Sequence, residues 1–366
     1  SLVGPFIYDD LPAIVDNPHI RRLWPLWAPL ATPAETPVDG RPIVSLTLAV
    51  NYAFGGLHVW GYHVANLALH VLAGLVLFGL LRRTLLSERL QKGYRGEAWW
   101  LAGTIALVWM VHPLLTESVD YVIQRSELLM GLCVLLTLYA VVRSAHTAAS
   151  SQWTVAAVAS CAVGMGSKEV MIGAPLLVLL YDRTFLSASF REALRQRRML
   201  YLGLAATWFV LAACVMTSTH RRVAGFGFVH VTPWDYAVTE LGVLLHYLRL
   251  AVWPHPLVVD YWDWPLARHL AEVWPAAVVI VGLLGLTLWA LVRRRPAGFL
   301  GAWFFLILGP TSSFLPILTE PVAERRMYLP LCAVVTLVVL GVWSVARRVA
   351  ARATAQRCLL VGFVAV

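Results

Sequence analysis

Long apolar runs recur along almost the whole chain and restrict what it can fold into. A helix of about 20 apolar residues spans the ~30 Å hydrocarbon layer of a membrane and satisfies its own backbone hydrogen bonds there. The chain is 59% hydrophobic and only 13% charged, whereas about 25% charged residues is usual for a soluble domain. The sequence therefore predicts an all-α, polytopic transmembrane protein.

The positions of the runs predict about 10 spans, plus a first span that would precede residue 1. The candidate spans are approximately 57–81, 98–116, 126–143, 152–166, 170–182, 199–217, 272–292, 297–318 and 327–346, with another beginning near 358. Residues 1–56 are expected to form a first external loop, with an interfacial helix over 43–54. Residues 1–366 are interpreted as a single membrane domain, with 57–366 holding the transmembrane helices.

Charge patterning assigns the two faces of this domain, because Lys and Arg are retained in short cytoplasmic loops. The predicted loops 82–97, 143–151, 183–198, 293–296 and 347–357 hold 18 of the 29 Lys and Arg residues. Of the 20 carboxylates, 16 lie on or near the opposite face. Segment 233–253 is long enough to cross, but a crossing would reverse this pattern, so we expect it to be re-entrant or interfacial.

A net charge of +9 is compatible with a nucleic-acid partner, but no basic stripe interleaved with aromatic residues is present. The five cysteines show no C-x-x-C spacing, and we interpret them as packing residues. The sequence thus predicts neither a nucleic-acid partner nor a metal site.

Two adjacent carboxylates, Asp9 and Asp10, open the first external loop. A carboxylate near a bilayer can serve as a general base for a hydroxyl nucleophile. The structural alternative is turn or helix-cap chemistry, in which Asp is common.

A second group lies where the span 98–116 leaves the membrane and the next span begins, and it includes His112, Glu117, Arg125 and Glu127. Ionisable groups at this depth are unfavourable unless they are paired or functional. The structural alternative is an ion pair of Arg125 with Glu117 or Glu127 that fixes a tight outer turn.

Further charged residues lie on the predicted external face. Lys168 and Glu169 separate two short apolar runs, and snorkelling of the lysine is the structural alternative. The string at 324–328 places arginines against the positive-inside rule, and Arg41 adds to this charge. Phosphate is the natural partner of such arginines, because guanidinium matches its oxygens. The residues of this string considered functional are Glu324, Arg325, Arg326 and Tyr328.

One face of the predicted span 57–81 carries three polar side chains, His63, Asn66 and His70. The two histidines are seven residues apart, about 10 Å along a helix, which is too far to chelate one metal. We expect these side chains to form interhelical hydrogen bonds.

A series of strings resembles one family over nearly the whole chain. The strings are YDD at 8–10, DNPHIR at 16–21, GRPIVSLTLAVNYAF at 40–54, YHVANLALH at 62–70, VHPLLTESVDYVIQRSELL at 111–129, SKE at 167–169 and ERRMYLPL at 324–331. They resemble the transmembrane O-mannosyltransferases linked to cadherin modification and their bacterial homologues. This resemblance implies a C-type glycosyltransferase fold, with a catalytic carboxylate in the first outer loop.

The resemblance also implies roles for residues. Asp9 and Asp10 match the catalytic loop, with Asp9 the first choice, and the donor would be a sugar on a polyprenyl phosphate. Donor-binding roles carry over to Arg41, His112, Glu117, Arg125, Glu127, Lys168, Glu169, Glu324, Arg325, Arg326 and Tyr328. The chain departs from the pattern in lacking tetratricopeptide repeats and in having Arg326 where relatives often have an aliphatic residue.

The expected activity is inverting transfer of a hexose, mannose first, to Ser or Thr hydroxyls of secreted or membrane proteins. No cofactor is expected besides the lipid-linked donor, and the partners are membrane lipid, donor and protein acceptor. Transfer to a lipid or cell-envelope glycan is the enzymatic alternative, and a transporter or flippase is the alternative of another class. The Ala- and Arg-rich composition favours a bacterial inner membrane, with the site on the periplasmic face.

Overall fold

The computed structural model describes residues 2–218, 232–313 and 320–349, and these residues form helices and connecting loops without a β-strand. Successive apolar segments fold into helices that pack side by side, as the hydropathy pattern predicts. The predicted all-α, polytopic membrane architecture is confirmed. The more specific C-type glycosyltransferase fold stays a prediction.

Eleven helices of eight or more residues, numbered α1 to α11, form the frame of the described part of the chain. They are α1 Pro42–Gly55, α2 Val59–Leu85, α3 Ala98–Met110, α4 Arg125–His146, α5 Ser150–Met165, α6 Ala174–Tyr181, α7 Arg198–Thr217, α8 Pro233–Val252, α9 Trp274–Val292, α10 Pro296–Leu308 and α11 Pro330–Val349. The predicted interfacial helix over 43–54 corresponds to α1.

Shorter helical turns connect this frame, most of them at its two ends. They are Leu11–Val15, Pro18–Arg21, Trp27–Leu30, Gln91–Tyr94, Pro113–Leu115, Thr116–Asp120, Val122–Gln124, Glu169–Gly173, Asp182–Leu186, Phe190–Gln196, Leu270–Glu272 and Glu324–Met327. Two of them, Pro18–Arg21 and Pro113–Leu115, begin with proline, whose fixed φ suits the first position of a helix.

The ten predicted crossings are not all recovered among the candidate spans of the described residues. Within the described residues, five helices are long and apolar enough to span a membrane, or seven if two bent pairs each count as one span. One pair bends by 55° between Met110 and Pro113, and the other by 104° before Phe190. Helices α5 and α10 are shorter than a span needs, and the span expected near 358 lies outside the described residues. A count of ten is therefore not confirmed.

Helix α4 lies at the centre of the bundle and packs against α2 and α5. Of its apolar window, 72% is buried, compared with 22% for α7 and for α9. Close packing here needs a small residue, since a Cβ on Gly131 would lie 2.5 Å from the ring of Tyr328. The first turn of α4 thus brings polar groups to the middle of one end of the bundle.

The first loop folds over that same end instead of extending away from it. Ile14, Ile20, Val44 and Leu48 are fully buried in a small apolar core that also includes Ile123, just before α4. This core attaches the loop that carries Asp9 and Asp10 to the turn between α3 and α4. Helix α8 is not among the five candidate spans, and its re-entrant or interfacial position stays a prediction.

Candidate active site

Asp10 fastens the first loop to the turn that precedes α4. One carboxylate oxygen, Oδ1, accepts the N–H of Ile123 at 2.8 Å, and Oδ2 accepts the N–H of Ile7 at 3.1 Å. The side chain is buried, with 1% of the residue exposed. Asp10 therefore holds together two segments that are 113 residues apart, and both of its oxygens already have backbone partners.

Burial changes the acidity of Asp10 as well. It raises the pKa from 3.8 to about 6, because desolvation penalises the charged form more than the two backbone N–H groups and His63 favour it. The neighbouring charge of Asp9 adds a smaller increase. Asp10 thus joins the first loop to the turn before α4, and its protonation changes near pH 6.

We expect the thermal stability of the protein to fall as the pH rises from about 4 to about 7. A pKa that is higher in the folded state contributes stability below the unfolded pKa, and this contribution is lost as the pH rises through the folded value. The change in the pKa of Asp10 from 3.8 to about 6 corresponds to about 3 kcal/mol in the free energy of unfolding. Asp10→Asn cannot ionise, so its melting temperature should vary less over this range. Equal pH slopes for the two proteins would contradict the assignment.

Asp9 is half-buried at the surface of the same loop. Its backbone N–H donates to the hydroxyl oxygen of Tyr121 at 2.9 Å. Tyr8, directly before it, has a φ of +41°, in the left-handed region that non-glycine residues seldom adopt. Such strain is characteristic of functional positions. The structure therefore holds Asp9 beside Tyr121 in a fixed, accessible position.

Tyr121 connects Asp9 to the cationic part of the site. Burial raises the pKa of its phenol, Asp9 raises it further, and the positive charge of Arg325 opposes the rise. The first loop and the turn Glu324–Met327 thus lie close enough for their charges to act on the same side chain. The predicted catalytic loop and the predicted arginine string are brought together.

Arg325 lies between two carboxylates. Its Nη1 donates to Glu117 at 2.5 Å, and its backbone N–H donates to the other oxygen of Glu117 at 2.7 Å. Its Nη2 pairs with Glu320, whose side chain is 39% exposed. Burial disfavours the charge of Arg325, but Glu117 and Glu320 together raise its pKa above the ordinary value. Arg325 is therefore a fixed and permanently charged group.

A second ion pair joins Lys168 to Glu127 on the first turn of α4. Both side chains are buried, so the snorkelling alternative for Lys168 is wrong. Burial lowers the pKa of Lys168, the pairing with Glu127 opposes this, and the positive charges of Arg41 and Arg325 lower it further. Lys168 therefore lies within electrostatic range of two cations from two other segments, Arg41 and Arg325.

Arg41 and Glu169 complete this group at its outer side. The guanidinium Nη2 of Arg41 lies 3.2 and 3.3 Å from the two carboxylate oxygens of Glu169. Both side chains are more exposed than those of the Lys168 pair. Exposed ion pairs contribute little to stability, so this pair can open at a small cost in free energy.

Glu324 and Tyr328 are buried on the far side of Arg325. Glu324 accepts the hydroxyl of Tyr261 at 2.6 Å and the N–H of Val258 at 2.7 Å. Burial raises the pKa of Glu324, these hydrogen bonds lower it, and the charge of Glu117 adds to the rise. The hydroxyl of Tyr328 contacts His70 at 3.1 Å. These groups support the position of Arg325 on the turn between them.

Arg125 forms neither of the two ion pairs considered from the sequence. It is 1% exposed, and neutral oxygens accept its N–H groups. The acceptors are Asn66 Oδ1 at 2.8 Å, Asn51 Oδ1 at 2.5 Å, and the carbonyls of Tyr62 at 3.1 Å and Thr47 at 3.2 Å. Arg125 thus joins α1 and α2 to the start of α4. The expected interhelical bonds of Asn66 and His70 are confirmed, whereas the third member, His63, contacts the carbonyl of Gly4 in the first loop at 3.1 Å.

Arg326 and His112 contact backbone carbonyls. Arg326 donates to the backbone carbonyls of Pro321 at 2.9 Å and Thr311 at 3.3 Å. His112 Nε2 lies 3.2 Å from the carbonyl of Ala251. Of the two arginines left undecided by the sequence, Arg325 is the one that lies among the carboxylates. Donor-binding roles for Arg326 and His112 stay predictions.

Three residues that contribute to the candidate site were not predicted from the sequence, namely Tyr121, Tyr261 and Glu320. Tyr121 lies within a string already singled out, next to Asp120, so its position was a usable signal. Tyr261 and Glu320 lie in loops without a recognisable pattern. Their roles depend on tertiary contacts with Glu324 and Arg325. In the described ranges, no three His, Cys, Asp or Glu side chains group in a way that could hold a metal ion.

Comparison with known proteins relates the chain to one group of enzymes. It is 27% identical to Protein O-mannosyl-transferase TMTC4 of Homo sapiens, over 90% of this chain and 51% of that protein. It is 26% identical to Protein O-mannosyl-transferase Tmtc2 of Drosophila melanogaster, over 75% of this chain and 30% of that protein. The chain thus spans about half or less of these relatives. Identity reaches 31% with human TMTC1, over 39% of this chain.

No protein-family model matches the sequence, and no solved structure matches it either. The relatives nevertheless agree in kind, since all those compared are named protein O-mannosyl-transferases. The resemblance predicted from the sequence strings is confirmed: over most of its length, this chain is a relative of the TMTC-type protein O-mannosyl-transferases.

Proposed function

We propose that this protein is an inverting glycosyltransferase. It moves a hexose, mannose as first choice, from a polyprenyl-phosphate carrier to Ser or Thr hydroxyls of secreted or membrane proteins at the external face. The names of the relatives, protein O-mannosyl-transferases, support mannosyl transfer to proteins. The observation that carries the proposal is that Asp9 is hydrogen-bonded to Tyr121 at the end of the bundle where Arg325 pairs with Glu117, and that Arg325 lies within electrostatic range of both Tyr121 and Lys168.

Asp9 is the general base in this proposal, and the geometry favours it over Asp10. Both oxygens of Asp10 accept backbone N–H groups and are buried, so Asp10 holds the loop in place. Asp9 is more accessible and is positioned through its own backbone by Tyr121. Acceptance of a proton from a nucleophile requires such a positioned and reachable carboxylate.

Arg325 holds the donor phosphate. Its guanidinium has five N–H groups, and the two ion pairs occupy only part of them. Glu320 is the more exposed of its two partners. We therefore assign Glu320 the place that a phosphate oxygen takes when the donor binds, while Glu117 keeps the guanidinium in position. Lys168 and Arg41 add positive charge on the side of α1 and α5.

The chemical step is a single displacement. The acceptor hydroxyl oxygen forms a bond to the anomeric carbon while the bond between that carbon and the phosphate oxygen breaks. The hydroxyl proton passes to Asp9, and the electron pair of the broken bond leaves with the polyprenyl phosphate. Preorganised donors such as Arg325 stabilise the charge that grows on this phosphate, an effect of several kcal/mol in enzymes.

Incubation of the purified protein with radiolabelled polyprenyl-phosphate mannose, and separately with the glucose compound, tests the proposal. Both reactions contain a hydroxyl-bearing acceptor protein and membrane lipid. We expect the mannose label to move to Ser or Thr of the protein. Label in the lipid or glycan fraction alone would reassign the acceptor. Absence of transfer from either donor would contradict glycosyl transfer.

A further inference from the structure

Three arginines converge at the end of the bundle opposite the candidate active site. Arg89 follows α2, whose other end lies at the site, and α2 is 27 residues or about 40 Å long. Arg183 lies on the turn Asp182–Leu186, and Arg294 lies between α9 and α10. Three separate segments of the chain thus bring their charges to one place.

Backbone carbonyls hold the three side chains in position. Arg89 Nη1 donates to Thr184 at 2.5 Å, and its Nη2 donates to the carbonyl of Arg294. Arg294 Nη2 donates to the carbonyls of Ser187 at 2.7 Å and Arg183 at 3.2 Å. The backbone of Arg294 has a φ of +58°, so this turn is held in the left-handed region. Specific hydrogen bonds to the backbone therefore hold this cluster together.

Within the described residues, none of these three arginines forms an ion pair with a carboxylate. Arg89 is largely exposed, but partial desolvation lowers the pKa of its guanidinium, and the charges of Arg294 and Arg183 lower it further. The carboxylate next to Arg183, Asp182, accepts two bonds from Arg197, at 2.9 and 3.0 Å. Carbonyls at helix ends offset part of a positive charge. They leave the guanidinium of Arg89 within electrostatic range of those of Arg183 and Arg294, an arrangement that favours binding of an anion.

An apolar cavity opens beside these arginines. Among its lining residues are Leu85, Leu90, Phe185, Pro296 and Phe299. Leu90 adjoins Arg89 in sequence, while Phe185 and Pro296 each lie two residues after an arginine of the cluster. The cavity is narrow, about 80 Å³, and runs between α2, α10 and α11. Its apolar lining suits part of one acyl chain.

We propose that Arg89, Arg183 and Arg294 bind the phosphate of an anionic phospholipid whose acyl chain enters this cavity. Guanidinium groups bind phosphate oxygens in paired hydrogen bonds, and basic pockets between membrane helices bind lipid headgroups. The apolar cavity favours a lipid over free phosphate. The site is separate from the candidate active site and does not depend on the proposed reaction.

Lipid titration of the purified, delipidated protein in detergent tests this proposal. The probes are dioleoyl phosphatidylglycerol, dioleoyl phosphatidylcholine and inorganic phosphate, with binding followed by native mass spectrometry and by the melting temperature. We expect phosphatidylglycerol to bind and to raise the melting temperature. Phosphatidylcholine and inorganic phosphate should bind at least about tenfold more weakly.

The variant Arg89→Gln/Arg294→Gln should bind phosphatidylglycerol about tenfold more weakly than the unchanged protein. The matched control, Arg191→Gln/Arg195→Gln, removes two exposed arginines of the helix Phe190–Gln196 and should keep the affinity. If the first variant does not fold, Arg89→Gln alone removes an exposed side chain and should still weaken binding. Equal affinity for phosphatidylcholine or inorganic phosphate, or equal losses in variant and control, would overturn the proposal.

Discussion

Asp9→Asn is expected to reduce sugar transfer at least about 100-fold, since a positioned general base contributes about 10²- to 10⁴-fold. The amide has nearly the shape of the carboxylate but cannot accept the hydroxyl proton. Donor binding should change little, because the cations lie on other segments. Transfer is measured with labelled donor at saturating acceptor, and donor affinity is measured separately on the same preparation.

The matched control for this variant is Asp16→Asn, which removes an exposed carboxylate of the same loop. It should leave the rate of transfer within about twofold of the unchanged protein, since surface substitutions have small effects. Asp10→Asn distinguishes the two adjacent carboxylates. If Asp10→Asn abolishes transfer in a folded protein while Asp9→Asn does not, the assignment of the base is wrong.

Arg325→Gln is expected to weaken donor binding about 10- to 100-fold, the range for loss of hydrogen bonds to a charged group. The rate at saturating donor should fall as well, because the same guanidinium stabilises the leaving phosphate. Glutamine keeps a donor for Glu117 but removes the charge. Binding is measured by competition with a labelled polyprenyl-phosphate sugar.

Two further variants show whether Arg325 acts through the phosphate. Arg268→Gln removes an exposed arginine of the loop after α8 and should leave donor affinity unchanged. Glu320→Gln should leave donor affinity unchanged or increase it, since in the proposal this carboxylate gives up its place to the phosphate. Loss of binding with Glu320→Gln comparable to that with Arg325→Gln would contradict this role of Glu320, since the ion pair itself would then be needed for donor binding.

Hydropathy and charge segregation predicted the class of fold and the grouping of the site. Apolar length is a local property, and the positive-inside rule acts on short loops, so both can be read without tertiary contacts. The number of crossings could not be read in this way. The chain bends at Pro113 and before Phe190, and a hydropathy run does not record the direction that a helix takes after a break.

The hydrogen-bond and ion-pair partners of the buried charged residues were the second property that could not be predicted from the sequence. Arg125 is near Glu117 and Glu127 in sequence, yet it binds two asparagines and two carbonyls of α1 and α2. Glu127 pairs instead with Lys168, 41 residues away. A buried guanidinium binds whichever acceptors the packed helices present, so these pairings depend on the fold.

The anomeric configuration of the product tests the central claim most directly, because that claim is a single displacement at the anomeric carbon assisted by Asp9. A donor of known configuration is converted by the purified protein, and the configuration of the sugar on Ser or Thr is determined by NMR. The account predicts an inverted configuration. Retention would contradict it, since retention requires two successive displacements through a covalent glycosyl intermediate.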